Sequence, residues 1–483
     1  METLNYIDGR WQAALDGRQF EVRNPADDSL IVQIADGGAA DARLAADAAA
    51  QALAAWKART PRERCLVLKK WQALIERDVE PLAKLISREQ GKPLAEARGE
   101  IAYSAGYVEW FAEEGVRAYG EVIAAPASSK RLIVVKEAVG VVAVVTPWNF
   151  PAAMIARKIA PALATGCTVV AKPAEDTPLT SLALVKLAEE AGVPAGVLNI
   201  VAASRERTPE VVGEWLGDAR VRKISFTGST PVGKQLARES AATLKKLSLE
   251  LGGNAPFIVF EDADLNAAVE GLMAAKFRNG GQTCVSPNRV FVHAAVHDRF
   301  VDKLAARVGA LRVGPAEWEL AEIGPMINAR AVDKIERHVT DAVAKGAKVV
   351  VGGSRVRNAV AAGPNYYAPT VLTGATREMA LASEETFGPV VPVFRFSSEE
   401  EVIAQANDTP YGLAGYFYSN DLRRVWRVAA ALETGMVGIN EGVITAQAAP
   451  FGGVKESGYG REGSHWGLDE YLHTKYLCQG NLS

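Results

Sequence analysis

Cysteine and histidine are scarce in this chain of 483 residues. The four cysteines, Cys65, Cys167, Cys284 and Cys478, are widely spaced, and the five histidines show no metal-binding spacing. No Cys-x-x-Cys pair is present. The sequence therefore predicts neither a disulfide framework nor a bound metal, and it indicates a reducing compartment.

Long apolar runs and an excess of one charge are also lacking. The longest apolar run, Ala138 to Val145, is too short to span a bilayer, and the net charge is only -3. The start, Met1 to Asn5, has neither the basic residues nor the apolar core of a signal peptide. We therefore expect a cytoplasmic globular protein of two or three domains, with no nucleic acid and no membrane as partner.

Regular alternation of strands and helices is what the sequence does contain. Between residues 139 and 250, apolar strand-like runs are separated by helical stretches, which is typical of a parallel sheet covered by helices on both faces. These runs are Val139–Val145, Thr168–Ala171, Val197–Val201, Lys223–Phe226 and Lys246–Leu249. After Gly252-Gly253 a second α/β stretch is predicted, with strands at Pro256–Phe260, Arg289–Val292, Lys348–Val351, Pro389–Phe394 and Gly415–Tyr418.

The remaining segments differ from this alternation. Residues 6–11 read as a hairpin with an Asp-Gly turn, and residues 39–118 as a run of helices. Residues 119–137 form an extended excursion, and residues 470–477 form one more strand without an obvious partner. The excursion and the last strand either pair with another subunit or pack on their own domain.

Ligands of parallel sheets bind at the carboxyl ends of the strands, so the residues after each strand matter most. No G-x-G-x-x-G fingerprint follows any strand. Gly228-Ser229 precedes a helix and could bind a pyrophosphate, and the Glu175 carboxylate near Lys172 suits a ribose diol. Taken alone, each is more often a helix cap or an exposed charge.

Cys284 follows a predicted helix that Asp264 caps and that Gly280-Gly281 ends. A loop of this kind can present a thiol to a cleft, where a stabilised thiolate is a nucleophile. Taken alone, a single cysteine is more often a small buried hydrophobe.

Seven motifs in register decide between these readings. They resemble the NAD(P)-dependent aldehyde dehydrogenase superfamily, and within it succinate-semialdehyde dehydrogenases and their relatives for glutarate or 2-oxoglutarate semialdehyde. The motifs are Thr146-Pro147-Trp148-Asn149-Phe150-Pro151, Lys172-Pro173-Ala174-Glu175, Phe226-Thr227-Gly228-Ser229-Thr230, Glu250-Leu251-Gly252-Gly253-Asn254, Gly281-Gln282-Thr283-Cys284, Glu384-Glu385-Thr386-Phe387-Gly388-Pro389 and Pro450-Phe451-Gly452-Gly453-Val454-Lys455-Glu456-Ser457-Gly458.

The resemblance implies an α/β fold with three parts. Residues 1–118 and 139–251 would form a Rossmann-type NAD-binding domain, and residues 252–452 an α/β catalytic domain. Residues 119–138 and 453–483 would form a β oligomerisation arm of a homodimer or homotetramer. The implied reaction is the irreversible NAD-dependent oxidation of a carboxylated semialdehyde, succinate semialdehyde first, through a cysteine thiohemiacetal and a thioester.

The resemblance also assigns roles at the reacting centre. Cys284 would be the nucleophile, and the Asn149 amide with the Cys284 backbone N–H would hold the oxyanion. Glu250 would be the general base.

The resemblance assigns a second set of residues to the cofactor. These residues are Thr146, Pro147, Trp148, Lys172, Glu175, Gly228, Ser229, Leu251, Glu385 and Phe387. Glu175 favours NAD over NADP, because its charge would repel a 2′-phosphate.

Four residues are implied to bind the substrate. Arg157 and Arg278 would clamp the distal carboxylate, helped by Thr445, with Phe451 in the same pocket. The alternatives are a solvated helix face for Arg157 and a cation at a helix C-terminus for Arg278. Pro287, unusual after Ser286, would stiffen the loop and line the substrate entrance.

Other functions remain open at this point. A broader aldehyde dehydrogenase and a CoA-acylating dehydrogenase are the enzymatic alternatives, although Glu250 argues against thiolysis. A non-catalytic protein that keeps the fold is the third alternative, and the presence of Cys284, Asn149 and Glu250 together argues against it.

Overall fold

The computed structural model describes residues 1–358 and 360–482. The chain begins with two hairpins and four helices. Asp8 and Gly9 have φ values of 52° and 74°, the left-handed turn that a two-residue hairpin requires, so the predicted hairpin is confirmed. The elements are β1 (Asn5–Ile7), β2 (Arg10–Gln12), β3 (Gln19–Arg23), β4 (Leu30–Ala35), α1 (Ala39–Ala58), α2 (Pro61–Arg77), α3 (Val79–Gln90) and α4 (Leu94–Glu114).

A parallel sheet follows. Strands β7 and β8 are buried at every residue, as their continuous apolar sequence predicts. The elements are β5 (Glu121–Ile123), β6 (Arg131–Ala138), β7 (Val141–Val145), α5 (Ala153–Thr165), β8 (Thr168–Lys172), α6 (Pro178–Glu190), β9 (Leu198–Ile200), α7 (Thr208–Gly217), β10 (Val221–Thr227), α8 (Thr230–Ser240) and β11 (Lys246–Glu250).

The strand order of this sheet contains a reversal that locates the site. The order runs β2-β1-β9-β8-β7-β10-β11, and the five strands from β9 to β11 are parallel. The chain builds outward from β7 to β9 and then returns to place β10 on the other side of β7. Ligands bind at such a reversal, at the carboxyl ends of the strands. The residues after β7 and β10 therefore face one crevice.

A second sheet contains seven strands in the order β14-β15-β16-β13-β12-β18-β19, and only β14 is antiparallel. Gly252-Gly253 lies between the two sheets. The elements are β12 (Ala255–Val259), α9 (Leu265–Phe277), β13 (Pro287–His293), α10 (His297–Gly309), α11 (Ala329–Ala344), β14 (Lys348–Val351), β15 (Thr370–Thr373), α12 (Ala380–Ser383), β16 (Val390–Phe396), α13 (Glu399–Asn407), β17 (Tyr411–Gly412), β18 (Ala414–Tyr418), α14 (Leu422–Ala431) and β19 (Met436–Ile439).

The C-terminal segment differs from the expectation that the arm begins again at residue 453. They contain β20 (Val454–Lys455), β21 (Gly458–Tyr459), α15 (Ser464–Asp469) and β22 (Leu472–Gln479). Strand β21 pairs with β11 in the first sheet, β20 pairs with β17, and α15 packs on α4 and α5. The arm therefore does not begin at residue 453, because the segment before β22 completes the two larger sheets.

The arm itself is a three-stranded sheet in the order β22-β6-β5. Strand β22 pairs with β6 over its whole length, from Leu472 opposite Ala138 to Gln479 opposite Arg131. The predicted last strand and the predicted excursion thus pair with each other within one chain. No helix in the described part of the chain is long and apolar enough to cross a membrane.

Candidate active site

A cavity of about 340 Å³ lies at the reversal of the first sheet, against α11 of the second. Most wall residues come from a loop after a strand or from the start of a helix. Its wall includes the predicted site residues Pro147, Trp148, Asn149, Gly228, Ser229, Leu251, Cys284, Glu385 and Phe387, together with Arg205, Asn328, Arg330 and Lys334, which the sequence did not indicate. In the described part of the chain, no group of His, Cys, Asp and Glu side chains could hold a metal ion.

Cys284 reaches this cavity through a break after α9. Asp264 caps the start of α9 and the chain turns at Arg278–Gly281, so the predicted helix and its end are confirmed. Gly281 has φ 77°, and a Cβ there would collide with the carbonyl oxygen of Gly388. Only glycine satisfies both constraints, and the thiol is left half-buried in the cavity wall.

The loop beyond Cys284 differs from the expectation. Ser286 and Pro287 are both buried, and Pro287 is the first residue of β13, opposite Ala255. Proline is tolerated at the first position of a strand, where no ladder hydrogen bond is lost. Pro287 thus belongs to the core sheet, and the expectation that it lines an open substrate entrance is wrong.

The thiol of Cys284 is electrostatically disfavoured as an anion. Burial raises its pKa to about 12; Arg157 acts in the opposite direction, whereas Glu385, Glu250 and Glu462 raise it further. The resting site therefore contains a neutral thiol, and a base must take its proton before it can attack a carbonyl carbon.

Glu250, the last residue of β11, is the buried carboxyl group beside this thiol. It is 1% exposed, and neither carboxyl oxygen has a hydrogen-bond partner. Burial, followed by the charge of Glu462, raises its pKa well above the usual range. Gly452, with φ 155°, approaches so closely that a Cβ there would lie 2.8 Å from Oε1 of Glu250. A carboxyl group with a raised pKa is a strong proton acceptor once ionised, which matches the thiol.

A buried charge cluster lies beside Glu250, and sequence reasoning missed its acidic member. Arg157 and Lys158 of α5 both contact the carboxylate of Glu462, and all three side chains are buried. The solvated helix face considered for Arg157 is therefore excluded. Glu462 is fixed by a backbone bridge to Phe451, whose ring lies 4.5 Å from the Arg157 guanidinium. No sequence pattern marks a carboxylate that pairs with residues three hundred positions earlier.

Asn149 offers an amide at the same centre. Its Nδ2 donates to the carbonyl oxygen of Gln282 at 3.0 Å, and its Oδ1 has no partner. An amide nitrogen carries two hydrogens, so one N–H is used for orientation and one remains for an oxyanion.

Arg278 and Arg157 approach one pair of tyrosines. The guanidinium of Arg278 lies 4.7 Å from the Phe150 ring centre and 6.0 Å from that of Tyr103. The Tyr103 and Tyr107 hydroxyls are 2.9 Å apart, and the charge of Arg157 acts on the pKa of Tyr107. The two arginines thus converge on one region.

Thr445 and Phe451 lie in the segment between β19 and β21. Thr445 is half-buried and Phe451 is buried, and Gln447 of this segment donates to the backbone oxygen of Tyr103 at 3.5 Å. The hydrogen bond holds the segment against α4. It therefore lies near the tyrosines that the arginines approach.

Glu175 lies just outside the cavity wall, between two cations. Its carboxylate is 3.1 Å from Lys172 Nζ and 3.0 Å from the Arg205 guanidinium, and Arg205 lines the cavity. Burial raises the pKa of Glu175, but Lys172, a backbone N–H and Arg205 together outweigh burial, so the net pKa is lowered. Glu175 is therefore ionised at neutral pH. Thr146 is also behind the wall, with its N–H donated to the backbone oxygen of Lys172.

Gly228 and Ser229 stand where α8 begins, and Ser229 is its N-cap residue without a side-chain cap bond. Both residues line the cavity, so the start of this helix lies at its wall, and the free N–H groups of a helix start suit an anionic phosphate. Leu251 contributes an apolar side chain to the same wall. This end of the cavity therefore has the chemistry to bind a pyrophosphate.

Glu385 and Phe387 also line the cavity. Glu385 Oε1 accepts the Gly253 N–H at 3.1 Å, and burial raises the pKa of Glu385 to about 7. Phe387 has φ 58°, a left-handed conformation that is strained for an aromatic residue, and its ring packs edge-on to Trp148 at 5.6 Å. A strained aromatic residue in a cavity wall indicates a binding function.

The chain is similar to known proteins over nearly its whole length. The pattern of the aldehyde dehydrogenase family matches residues 11–477. Glutarate-semialdehyde dehydrogenase of Pseudomonas putida is 54% identical over 98% of this chain and 97% of its own. The NADP(+) succinate-semialdehyde dehydrogenase of Escherichia coli is 52% identical over 98% and 97%. The crystal structure of succinate-semialdehyde dehydrogenase from Burkholderia pseudomallei superposes with a TM-score of 0.96 at 55% identity, covering 98% and 97%.

The raised pKa of Cys284 can be measured by alkylation. With iodoacetamide, we expect the rate to rise about tenfold per pH unit between about pH 7 and pH 10, because the thiolate is the reactive form. Glu385→Gln should speed alkylation severalfold at about pH 8.5, where Glu385 is ionised and raises the pKa of the thiol.

The matched control is Glu384→Gln, because Glu384 is an exposed neighbour that pairs with Arg337 at 2.9 Å. It should leave the rate unchanged. A rate that reaches its plateau below about pH 9 would contradict a pKa raised this far.

Proposed function

Because this chain belongs to the aldehyde dehydrogenase family, we propose that it oxidises a semialdehyde with a distal carboxylate to the dicarboxylic acid, with NAD as the preferred cofactor. Succinate semialdehyde is the first candidate. Glutarate semialdehyde is the second, since the Pseudomonas putida relative carries that name. The observation that supports the carboxylate is the approach of two arginines to one pair of tyrosines next to the nucleophile.

The reaction begins with proton transfer from Cys284 Sγ to Glu250, directly or through a water molecule. The thiolate adds to the aldehyde carbon, and the second Asn149 N–H and the Cys284 backbone N–H receive the oxyanion. NAD, when bound, supplies the hydride acceptor. Glu250 first releases the proton of the thiol to solvent and becomes a carboxylate again. It then takes a proton from the water that attacks the Cys284 thioester, the acid is released, and Glu250 returns this proton to the departing Cys284 thiolate.

The residues around the cavity have the donor set that a dinucleotide needs. The N–H groups at the start of α8 suit the pyrophosphate, and Glu175 with Lys172 suits the adenosine ribose. Glu385, Phe387 and Trp148 would hold the nicotinamide riboside. Thr146 supports this wall from behind.

The carboxylate clamp rests on the charges of Arg157 and Arg278. Arg157 keeps Nη2 without a hydrogen-bond partner although the side chain is buried, and Thr445 and Phe451 belong to the same region. A guanidinium with unused donors binds a carboxylate through charge-assisted hydrogen bonds. A neutral aldehyde of the same length cannot use these bonds.

Removing one arginine should therefore separate charged from neutral substrates. We expect Arg278→Met to raise the KM for succinate semialdehyde by about ten- to hundredfold, the value of one or two charge-assisted hydrogen bonds. The KM for butanal should stay within about twofold. The measurement is NADH formation with succinate, glutarate and 2-oxoglutarate semialdehydes, betaine aldehyde and butanal.

Arg299→Met, at an exposed arginine of α10, is the control and should change neither KM. Equal effects of Arg278→Met on charged and neutral aldehydes would reject the clamp. Formation of an acyl-CoA upon addition of CoA would instead support a CoA-acylating enzyme.

The choice of NAD is a separate part of the proposal, since the Escherichia coli relative is named for NADP(+). An ionised Glu175 would repel a 2′-phosphate, whereas Lys172 and Arg205 beside it would attract one if the carboxylate were absent. The Glu175 carboxylate thus determines whether the surroundings of the adenosine ribose repel or attract a 2′-phosphate.

Glu175→Gln should raise kcat/KM for NADP about tenfold or more and lower kcat/KM for NAD, because it removes one repulsive charge and one ribose acceptor. Asp176→Asn, at the next carboxylate, is the matched control. A wild-type enzyme that already prefers NADP would refute this part of the proposal.

Self-association through the arm is proposed as well, as a homodimer or homotetramer. The sheet β22-β6-β5 exposes large apolar side chains, among them Val122 (76% exposed), Ile123 and Tyr476. Exposed apolar groups that lie together on a projecting sheet are typical of subunit contacts.

The double variant Val122→Asp and Tyr476→Asp should lower the molecular mass in solution, because two charges would be buried in the contact. Light scattering after size exclusion measures it. Leu66→Asp, at an exposed leucine of α2, is the control. A wild-type monomer would reject the assembly.

A cytoplasmic location belongs to the same proposal. The four cysteines, all within the described chain, are free thiols. Free thiols together with a cysteine nucleophile suit a reducing compartment.

A further inference from the structure

We propose that Lys92 and Asn279 are positioning residues that fix the Asn149 peptide and thereby aim its side-chain amide at the oxyanion of the bound aldehyde. The carbonyl oxygen of Asn149 accepts two hydrogen bonds, from Lys92 Nζ at 3.0 Å and from Asn279 Nδ2 at 2.9 Å. Both donors are buried. The proposal rests on the proposed function, in which Asn149 receives the oxyanion.

Asn149 needs such restraint because no regular structure holds it. It lies between the end of β7 at Val145 and the start of α5 at Ala153. Its side chain is anchored by one hydrogen bond, to the carbonyl oxygen of Gln282. A peptide whose carbonyl has two buried donors cannot rotate without leaving both unsatisfied, which is costly. The side-chain amide of the same residue is then confined to a narrow range of directions.

Asn279 joins the oxyanion donor to the nucleophile loop. Its Nδ2 also lies 3.3 Å from the Gln282 carbonyl oxygen, two residues before Cys284. Gln90 Nε2 donates to Asn279 Oδ1 at 3.0 Å and so fixes which end of the amide faces Asn149. Glu96 accepts the Asn279 backbone N–H at 2.7 Å. With φ 52°, position 279 favours asparagine or glycine. The spacing between amide and thiol therefore depends on this side chain.

Lys92 joins the same peptide to the helix that carries Arg157. Its ammonium contacts Glu100 and lies 3.8 Å above the Phe150 ring. Glu100 Oε1 accepts the N–H groups of Ala152 and Ala153, at 2.8 Å and 3.3 Å, where α5 begins without a side-chain cap of its own. One ion pair thus sets both the oxyanion donor and the start of α5.

Stability alone does not account for this ion pair. Both side chains are essentially inaccessible, at 0% and 1% exposure. Burying an ion pair costs desolvation that its attraction roughly cancels, so an apolar pair would give a similar stability. An apolar pair could not hold the Asn149 carbonyl, whereas the ammonium does. The position of the amide is what the lysine contributes.

The test uses Lys92→Met and the isosteric Asn279→Asp, which keeps the acceptor for Gln90 but loses the donor to Asn149. Four properties are measured. They are the single-turnover rate of NADH formation from succinate semialdehyde, the KM values for succinate semialdehyde and for NAD, the melting temperature, and the rate of Cys284 alkylation by iodoacetamide. Alkylation passes through no oxyanion and therefore reports on the thiol alone. Lys84→Met, at an exposed lysine of α3, is the matched control.

We expect the single-turnover rate to fall about ten- to hundredfold in both variants, less than the loss of an oxyanion donor itself. Both KM values and the alkylation rate should stay within about threefold, since neither depends on the direction of the amide. Lys84→Met should match the wild type.

Wild-type-like single-turnover rates in both variants would overturn the proposal. So would alkylation and turnover that fall together, or a failure of both variants to fold, because the residues would then be a scaffold only. A wild-type enzyme that forms no NADH from any aldehyde would instead refute the proposed function, so the two failures are distinguishable.

Discussion

The burial of charge beside Cys284 is the constraint on which the rest of the site depends. Glu250, Arg157, Lys158 and Glu462 are all removed from water. Isolated charges are expensive there, so the two cations share the carboxylate of Glu462, and Glu250 has a pKa raised by burial. The same burial raises the pKa of the thiol. Acid and base are thus matched: a proton can pass from sulfur to carboxyl, although neither group ionises easily alone.

The fold makes this arrangement possible by bringing distant segments to one edge of a sheet. The strand order reverses at β7, so the carboxyl ends of β7, β10 and β11 lie together. Asn149 and Ser229 follow β7 and β10, and Glu250 is the last residue of β11. The return of β21 to β11 then brings Glu462 beneath the same edge. If the chain left the two larger sheets at residue 453, Glu462 would not lie beside Arg157 and Lys158. The position at which the arm begins therefore affects the composition of the site.

What the sequence predicted follows from local chemistry. Strand runs, the helix ending before Gly280-Gly281 and the residues after strands all obey short-range rules, so these segments could be located in advance. The roles of Cys284, Asn149 and Glu250 were implied by the resemblance of seven motifs and not by these rules. Glu462, Lys92 and Asn279 could not, because nothing local tells which buried lysine pairs with which carboxylate. Pro287 failed for a related reason: whether a loop residue faces a cavity or starts a strand depends on the neighbouring strand, here β12. The partner of the last strand could not be predicted either, because its pairing with β6 joins residues far apart in sequence.

The charge balance also distinguishes the two arginines. Arg157 already faces Glu462 in the buried cluster, and its charge opposes the rise that burial causes in the pKa of Cys284. Within the described chain Arg278 forms no salt bridge, and its guanidinium lies over the rings of Phe150 and Tyr103. A substrate carboxylate would add one negative charge to a site where burial, together with the acidic side chains, already keeps the thiol neutral. If the substrate carboxylate bound only to Arg157, it would compete with Glu462 for this arginine. Lys158 would then be the sole partner of the Glu462 carboxylate. In the described chain Arg278 has no carboxylate partner, so in the proposed clamp Arg278 would bind most of the substrate charge, and Arg157 would be shared between the substrate and Glu462.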